Sequence, residues 1–362
     1  MPDNFALYRK YRPATFDEVL GQEHVVSILK KSVADHSVSH AYLFSGPRGS
    51  GKTSVARILA RATACAENYA PCNKCENCRE FISGNTLDLL EIDAASNRGI
   101  DEVRALKEQA YLMPIKAARK AYIIDEVHMM TKDAFNALLK ILEEPPAHVL
   151  FIMATTEPEK LLDTVVSRTQ HFRFRPLSES VIQKSIEDIA KKENIVISQG
   201  ASTMLAFLAD GSLRDGLNHL AKAGAVGGKK IGEEEIQRAF GVPPVRLANQ
   251  ITDAIFVKNP EMAYQAVREL EKSGSAPYLM LKILLRNFRF LLLSSINPQF
   301  MAELREQLGE GEYNYLAAKQ KLLPIGELER MLTILLEVSN TRLQSPYPTL
   351  QLELAIARIL SH

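Results

Sequence analysis

Four short apolar runs mark the first half of the chain, at 41–45, 87–92, 121–125 and 149–155. Each is continuous rather than alternating, and each is followed by sequence of helical period. That is the pattern of parallel strands buried on both faces and joined by helical crossovers. A doubly wound α/β domain is predicted. After Arg175-Pro176-Leu177 the strand pattern stops, and 178–240 reads as short amphipathic helices punctuated at Gly200, Gly211 and Gly232. Gly241-Val242-Pro243-Pro244 interrupts the run, because proline lacks a backbone donor and clashes with the preceding turn. Beyond it the apolar positions recur at helical spacing again. The predicted division is an α/β domain over 1–177, a small helical domain over 178–242 and an all-helical domain over 243–362.

A length of 362 residues suits two or three domains, and 46% hydrophobic with 24% charged residues is ordinary for folded protein. The formal net charge of +1 gives no global field toward nucleic acid or membrane, so any such contact has to come from a local patch. The most apolar stretch, 278–296, carries Lys282, Arg286 and Arg289, which points to a buried helix and not a membrane span. Met1-Pro2-Asp3-Asn4 opens without the basic and apolar regions of a secretory leader, so a cytoplasmic protein is expected.

Chemistry enters directly after the first run. Gly46-Pro47-Arg48-Gly49-Ser50-Gly51-Lys52-Thr53 has the spacing of a phosphate-cradling loop. Gly46, Gly49 and Gly51 supply torsions that let backbone N–H groups close on phosphate oxygens. Lys52 is placed to reach the β and γ phosphates of ATP and Thr53 to ligate Mg²⁺. The helix that follows turns the positive end of its dipole to the anion. A glycine-rich turn before a helix is the bland alternative, and a second motif counts against it. Tyr122-Ile123-Ile124-Asp125-Glu126 delivers two carboxylates to the end of an apolar strand. Asp125 would hold Mg²⁺ and Glu126 would orient the attacking water, since phosphoryl transfer depends on positioning and charge stabilisation.

All four cysteines, Cys65, Cys72, Cys75 and Cys78, lie together, the last three as successive C-x-x-C pairs. Four thiolates at this spacing suit tetrahedral Zn²⁺, and four ligands leave no open position for catalysis. Disulfides are the alternative, disfavoured in a chain that shows no leader.

With these elements, Tyr8-Arg9-Lys10-Tyr11-Arg12-Pro13, Gly21-Gln22-Glu23-His24, Glu91-Ile92-Asp93-Ala94-Ala95-Ser96 and Leu138-Leu139-Lys140-Ile141-Leu142-Glu143-Glu144-Pro145-Pro146 closely resemble the gamma/tau family of bacterial DNA polymerase III subunits. These are the ATPases of the sliding-clamp loader, part of the DNA polymerase III holoenzyme. The resemblance covers essentially the whole chain and is strongest from Tyr8 to Arg175. A cysteine insert within the ATPase domain is specific to this family and to its relative delta-prime, which lacks a working phosphate loop.

The resemblance implies an AAA+ P-loop NTPase domain with a helical lid, followed by an all-α collar that holds five subunits in a ring. It implies that the Tyr8–Pro13 segment and 19–22, including Tyr8, Arg12 and Val19, help to enclose adenine. Thr155 and Thr156 would be a polar sensor near the γ phosphate. Ser167-Arg168-Thr169 stands where the family has Ser-Arg-Cys, so Arg168 would act in trans on the neighbouring subunit's nucleotide. Arg214, in Gly211-Ser212-Leu213-Arg214-Asp215, would contact the γ phosphate of its own subunit. Arg98, Arg104 and Lys140 are the candidate contacts to primer-template phosphates, without a base code. The partners implied are delta, delta-prime, further copies of the chain and the beta clamp. Two departures are visible: Thr169 replaces the cysteine, and the spacing from Cys65 to Cys72 is shorter than the family's.

Two rival readings remain, another AAA+ DNA motor such as a Holliday-junction helicase, and a delta-prime-like stator that binds partners without hydrolysis. The cysteine insert counts against the first and the intact Lys52, Thr53, Asp125 and Glu126 against the second. The apolar helical pattern at 350–360, with no proline-rich or charged linker after it, gives the expectation of a short form that does not bridge helicase to polymerase.

Overall fold

The computed structural model describes residues 6–67, 71–308, 310–341 and 345–361. The N-terminal residues on which the leader reading rests, residues 68–70 within the cysteine insert, and His362 lie outside the described residues. Two compact units are present, one formed by Met1–Ser185 with Ala209–Asn218, the other by Ile186–Leu208 with His219–His362.

The first unit is built on five parallel strands, β1 (Ala41–Ser45), β2 (Leu89–Asp93), β3 (Lys120–Asp125), β4 (Val149–Thr155) and β5 (Gln170–Arg173). Their spatial order is β2-β3-β4-β1-β5. Because side chains alternate across a strand, each run feeds two cores. Tyr42, Phe44, Ile123 and Ile152 enter one, against the helices Glu23–Ala34 and Lys52–Ala64. Leu43, Tyr122, Ile124, Phe151 and Met153 enter the other, against the helices Ile100–Ala110 and Lys132–Glu143. Continuous apolar strands are needed where neither face meets water, which is why β1, β3 and β4 were readable; the run at 87–92 also forms a strand, but β2 starts at Leu89, lies at the sheet edge and is only partly buried, with Leu87 exposed before it.

β5 was not predicted. Its sequence, Gln170-His171-Phe172-Arg173, is an edge strand with both ends exposed, so it carries no apolar run. Among the described residues it pairs only with β1, Ser45 opposite Arg173. This order positions the site: β1 lies between β4 and β5, while β2, next in sequence, stands at the far edge. The chain must leave the carboxyl end of β1 across the sheet, opening the crevice where such folds bind ligands.

Among its described residues the second unit is helical apart from a two-residue parallel pairing of Val196–Ile197 with Lys230–Ile231. Gly200 is the second residue of the helix Gln199–Leu208 and so marks its start, and a Cβ there would meet Glu233 Oε1 at 1.9 Å. Gly241 does end a helix, in the left-handed conformation at φ 64°, as the Gly-Val-Pro-Pro break predicts. The apolar helix Pro277–Ile296 is buried against Ile325–Asn340. Its Arg286 is paired with Glu312 and stacked on Phe207, which explains a charge within an apolar helix. Among the described residues no helix is long and apolar enough to cross a membrane.

Candidate nucleotide site and cysteine cluster

The loop after β1 takes the torsions its glycines permit, φ 146° at Gly46, 73° at Gly49 and 100° at Gly51. Side chains would also collide at two of them: a Cβ would lie 2.4 Å from the Phe174 carbonyl at Gly46 and 1.9 Å from Ser212 Oγ at Gly49. Ser50 Oγ donates to the Pro47 carbonyl at 2.8 Å. Gln22, fully buried, fastens the loop from outside. Its Nε2 donates to the carbonyls of Ser50 and Arg175, and its Oε1 accepts from the Arg175 N–H.

Lys52 opens the helix Lys52–Ala64 and is buried at 5% exposure, its amine donating to the Gly46 and Pro47 carbonyls at 2.7 and 2.8 Å. Burial lowers its pKa, opposed by the nearby charges of Glu126 and Asp125. Thr53 Oγ1 donates to Asp125 Oδ2 at 2.9 Å, joining the glycine loop to the end of β3. A hydroxyl and a carboxylate side by side form a hard oxygen donor set of the kind Mg²⁺ takes.

Glu126 has φ 48°, a left-handed torsion that is uncommon for a residue with a side chain and turns the chain sharply after β3. Its Oε2 accepts from Thr156 Oγ1 at 3.0 Å and from the Thr156 N–H at 3.3 Å. Buried His128 lies beside it, Nδ1 3.0 Å from Thr155 Oγ1 and 3.5 Å from Glu126 Oε2, with Nε2 3.1 Å from Glu157. Sequence reasoning missed His128 because one histidine after an acidic pair has no spacing signature.

Tyr8, Arg12, Val19, Arg48, Gly49, Ser50, Gly51, Lys52, Thr53, Asp125, Glu126 and Arg214 line one open cleft. Glu18, Leu177, Leu213 and Leu217 line it too, and were not predicted. Arg214 stacks on Tyr8, 4.7 Å from the ring centroid. Arg168 is not in this cleft; it pairs with Glu143 at 2.7 Å and donates to the Thr164 carbonyl. Arg98, Arg104 and Lys140 are exposed outside it. The Arg98 carbonyl accepts from the N–H of Thr131, the N-cap of Lys132–Glu143, which brings that helix start beside the start of Ile100–Ala110.

The four cysteines are free thiols whose sulfurs all lie within 4.8 Å of one another. For a tetrahedral ion with sulfur ligands at about 2.3 Å the sulfur–sulfur edge is about 3.8 Å, and Cys72 and Cys78 stand 3.9 Å apart. Backbone N–H groups of Lys74 and Cys75 point at Cys72 Sγ and push its pKa down to about 6, favouring the thiolate. Burial pushes Cys65 and Cys78 up, a cost that a bound cation would offset.

The sheet order, the glycine loop and the acidic pair define a P-loop domain of the AAA+ class. A family model described as DNA polymerase III, delta subunit, matches residues 21–178. DNA polymerase III subunit tau of Bacillus subtilis is 36% identical over 356 residues, covering 98% of this chain and 63% of that protein. The gamma/tau subunit of Mycobacterium tuberculosis is 40% identical over 299 residues, 81% of this chain and 52% of that protein. DNA polymerase III subunit gamma of Buchnera aphidicola is 36% identical over 296 residues, 81% of each chain. The chain belongs to the DNA polymerase III gamma/tau family. It spans about half to two thirds of the length of the Bacillus and Mycobacterium relatives. A solved Thermotoga maritima RuvB variant shares 17% identity at a TM-score of 0.50, over 68% of this chain and 79% of that one. At that identity the likeness is one of fold.

Proposed function

We propose that this chain is an ATP-hydrolysing subunit of the bacterial clamp loader, which couples ATP to placing the beta sliding clamp on primer-template DNA. The observation that carries the reading is the convergence of Lys52, Thr53, Asp125 and Glu126 on one cleft that Tyr8 and Arg214 also line. Tyr8, Arg12 and Val19 would enclose the adenine. The Gly46–Thr53 loop would wrap the phosphates with the backbone N–H groups of Arg48, Gly49, Ser50, Gly51, Lys52 and Thr53, while Pro47, which has no N–H, would shape the turn. Lys52 would exchange the Gly46 and Pro47 carbonyls for β and γ phosphate oxygens, and the added negative charge would keep its amine protonated.

Thr53 and Asp125 would hold Mg²⁺, which supplies neutralisation of charge on the phosphate oxygens. Glu126 would orient the attacking water and take up its proton, with Thr156 setting its rotamer and Thr155 and His128 supporting it. Arg214 would sense the γ phosphate in its own subunit. Arg168, turned away from its own cleft, would complete the neighbouring subunit's site in trans. Cys65, Cys72, Cys75 and Cys78 would bind one structural Zn²⁺.

The working assembly is a five-subunit ring with delta and delta-prime, joined through a collar over 243–362, with 178–242 as the lid of the ATPase domain over 1–177. ATP would close the ring on an open clamp, and primer-template, met by Arg98, Arg104, Lys140 and the adjacent helix starts, would trigger hydrolysis and release. The site is cytoplasmic. The test is ATP hydrolysis by the assembled complex: Arg168→Ala should lower the rate by about 10³- to 10⁵-fold at sites whose neighbour carries the substitution. Wild-type hydrolysis by Arg168→Ala complexes would reject the trans role, and no hydrolysis by the wild-type chain would favour the stator.

A further inference from the structure

The segment that walls one side of the cleft has little apolar anchorage of its own. The short helix Leu7–Lys10 has no buried residue, and of Phe16–Glu18 only Phe16 is buried. Yet Tyr8, Tyr11, Arg12, Pro13, Glu18 and Val19 all line the cleft. Polar ties therefore carry much of its placement, and three of them meet at Ala14. The Ala14 N–H donates to Glu18 Oε2 at 2.7 Å. Its carbonyl accepts from buried Arg61, on the helix that starts at Lys52, and from Asn73 Nδ2 at 3.1 Å.

Asn73 sits inside the cysteine cluster, between Cys72 and Cys75, in the left-handed conformation at φ 60°. Asparagine tolerates that region better than most residues. Its main-chain N–H is directed to the Cys78 sulfur, while its side chain reaches Ala14. The cluster is also fastened to the far end of the phosphate-loop helix, where Asn77 Nδ2 donates to the Ala64 carbonyl at 2.9 Å.

We propose that Asn73 is a positioning residue for nucleotide binding, through which the four-cysteine module holds the wall of the cleft at Ala14. A metal-closed cluster fixes the Asn73 backbone and so aims its amide; an open cluster releases it. The module then acts as a brace for the nucleotide site. This rests on the reading of the cleft as a nucleotide site, and the test separates the two.

In the full chain, zinc content and the affinity for a fluorescent ATP analogue are measured for wild type, Asn73→Gly and Lys52→Ala. Glycine keeps the left-handed torsion and removes the side chain with its amide. Asn73→Gly should retain one zinc per chain and bind the analogue about two- to tenfold more weakly, the worth of one hydrogen bond. Its hydrolysis rate at saturating ATP in the assembled complex should stay at the wild-type value, a split that a general loss of structure would not give. Chelating the metal should weaken binding in wild type by more than in Asn73→Gly, where the tie is already gone. Wild-type affinity in Asn73→Gly, or loss of its zinc together with affinity, would overturn the proposal. Undiminished affinity in Lys52→Ala would instead reject the cleft reading beneath it.

Discussion

Thr53 and Asp125 are 72 positions apart in sequence and joined by a 2.9 Å hydrogen bond from hydroxyl to carboxylate. The bond brings the first turn of the phosphate-loop helix to the end of β3 and sets two oxygens side by side. Lys52, the adjacent residue, is turned back onto the loop's own carbonyls. The oxygen pair is thus preassembled, while the lysine has to change partners to meet a triphosphate.

Lys52→Ala should leave the fold intact and lower ATP affinity by about ten- to a hundredfold, the worth of charge-assisted hydrogen bonds. Glu126→Gln keeps the side chain's shape and one acceptor for Thr156, so it should bind ATP normally and hydrolyse it about 10²- to 10⁴-fold more slowly. Equilibrium binding and single-turnover hydrolysis separate the two, and equal affinity for Lys52→Ala and wild type would refute the assignment.

Gly49 and Gly51 should respond differently to alanine. At Gly51 nothing lies within 4 Å of a new Cβ, so the cost is torsional, about 1–2 kcal/mol. At Gly49 the new atom would also meet Ser212 Oγ at 1.9 Å and Ser212 Cα at 3.3 Å, backbone that cannot swing aside. Thermal unfolding should therefore show Gly49→Ala as the more destabilised, and equal midpoints would contradict the packing argument.

Asp88 is buried and accepts the backbone N–H groups of Ile115, Lys116 and Ala117, fixing the approach to β3. Burial alone would raise its pKa; the three donors outweigh it and lower the value. A depressed carboxylate pKa contributes stability above the unfolded value, about 3.9, and loses it as pH falls through the folded one. Asp88→Asn should cost about 1–3 kcal/mol at neutral pH. In urea titrations that difference should shrink below about pH 4, and a difference that grew on acidification would have the wrong sign.

The sequence disclosed what apolar periodicity and fixed spacing encode. β1, β3 and β4 were legible because a strand covered on both faces has to be apolar throughout, and the glycine loop because close phosphate approach restricts its residues. β5 was hidden because an edge strand such as Gln170–Arg173 needs no apolar run. Tyr8 and Arg214 could be placed in one cleft only through the family resemblance, since no local pattern joins residues so far apart. Gln22 was visible as part of a motif, but its grip on Ser50 and Arg175 was not, since a buried amide between two backbone segments exists only once both are folded. His128 and Asn73 belong to the same kind.

Clamp loading tests the ATPase role most directly: the chain is combined with delta, delta-prime, beta clamp, ATP and primed DNA, and clamps retained on the DNA are counted. Wild type should load clamps only with ATP, and Glu126→Gln complexes should bind clamp and ATP but fail to complete release. Clamp retention that is independent of ATP, or unaffected when both Lys52 and Glu126 are substituted, would contradict it.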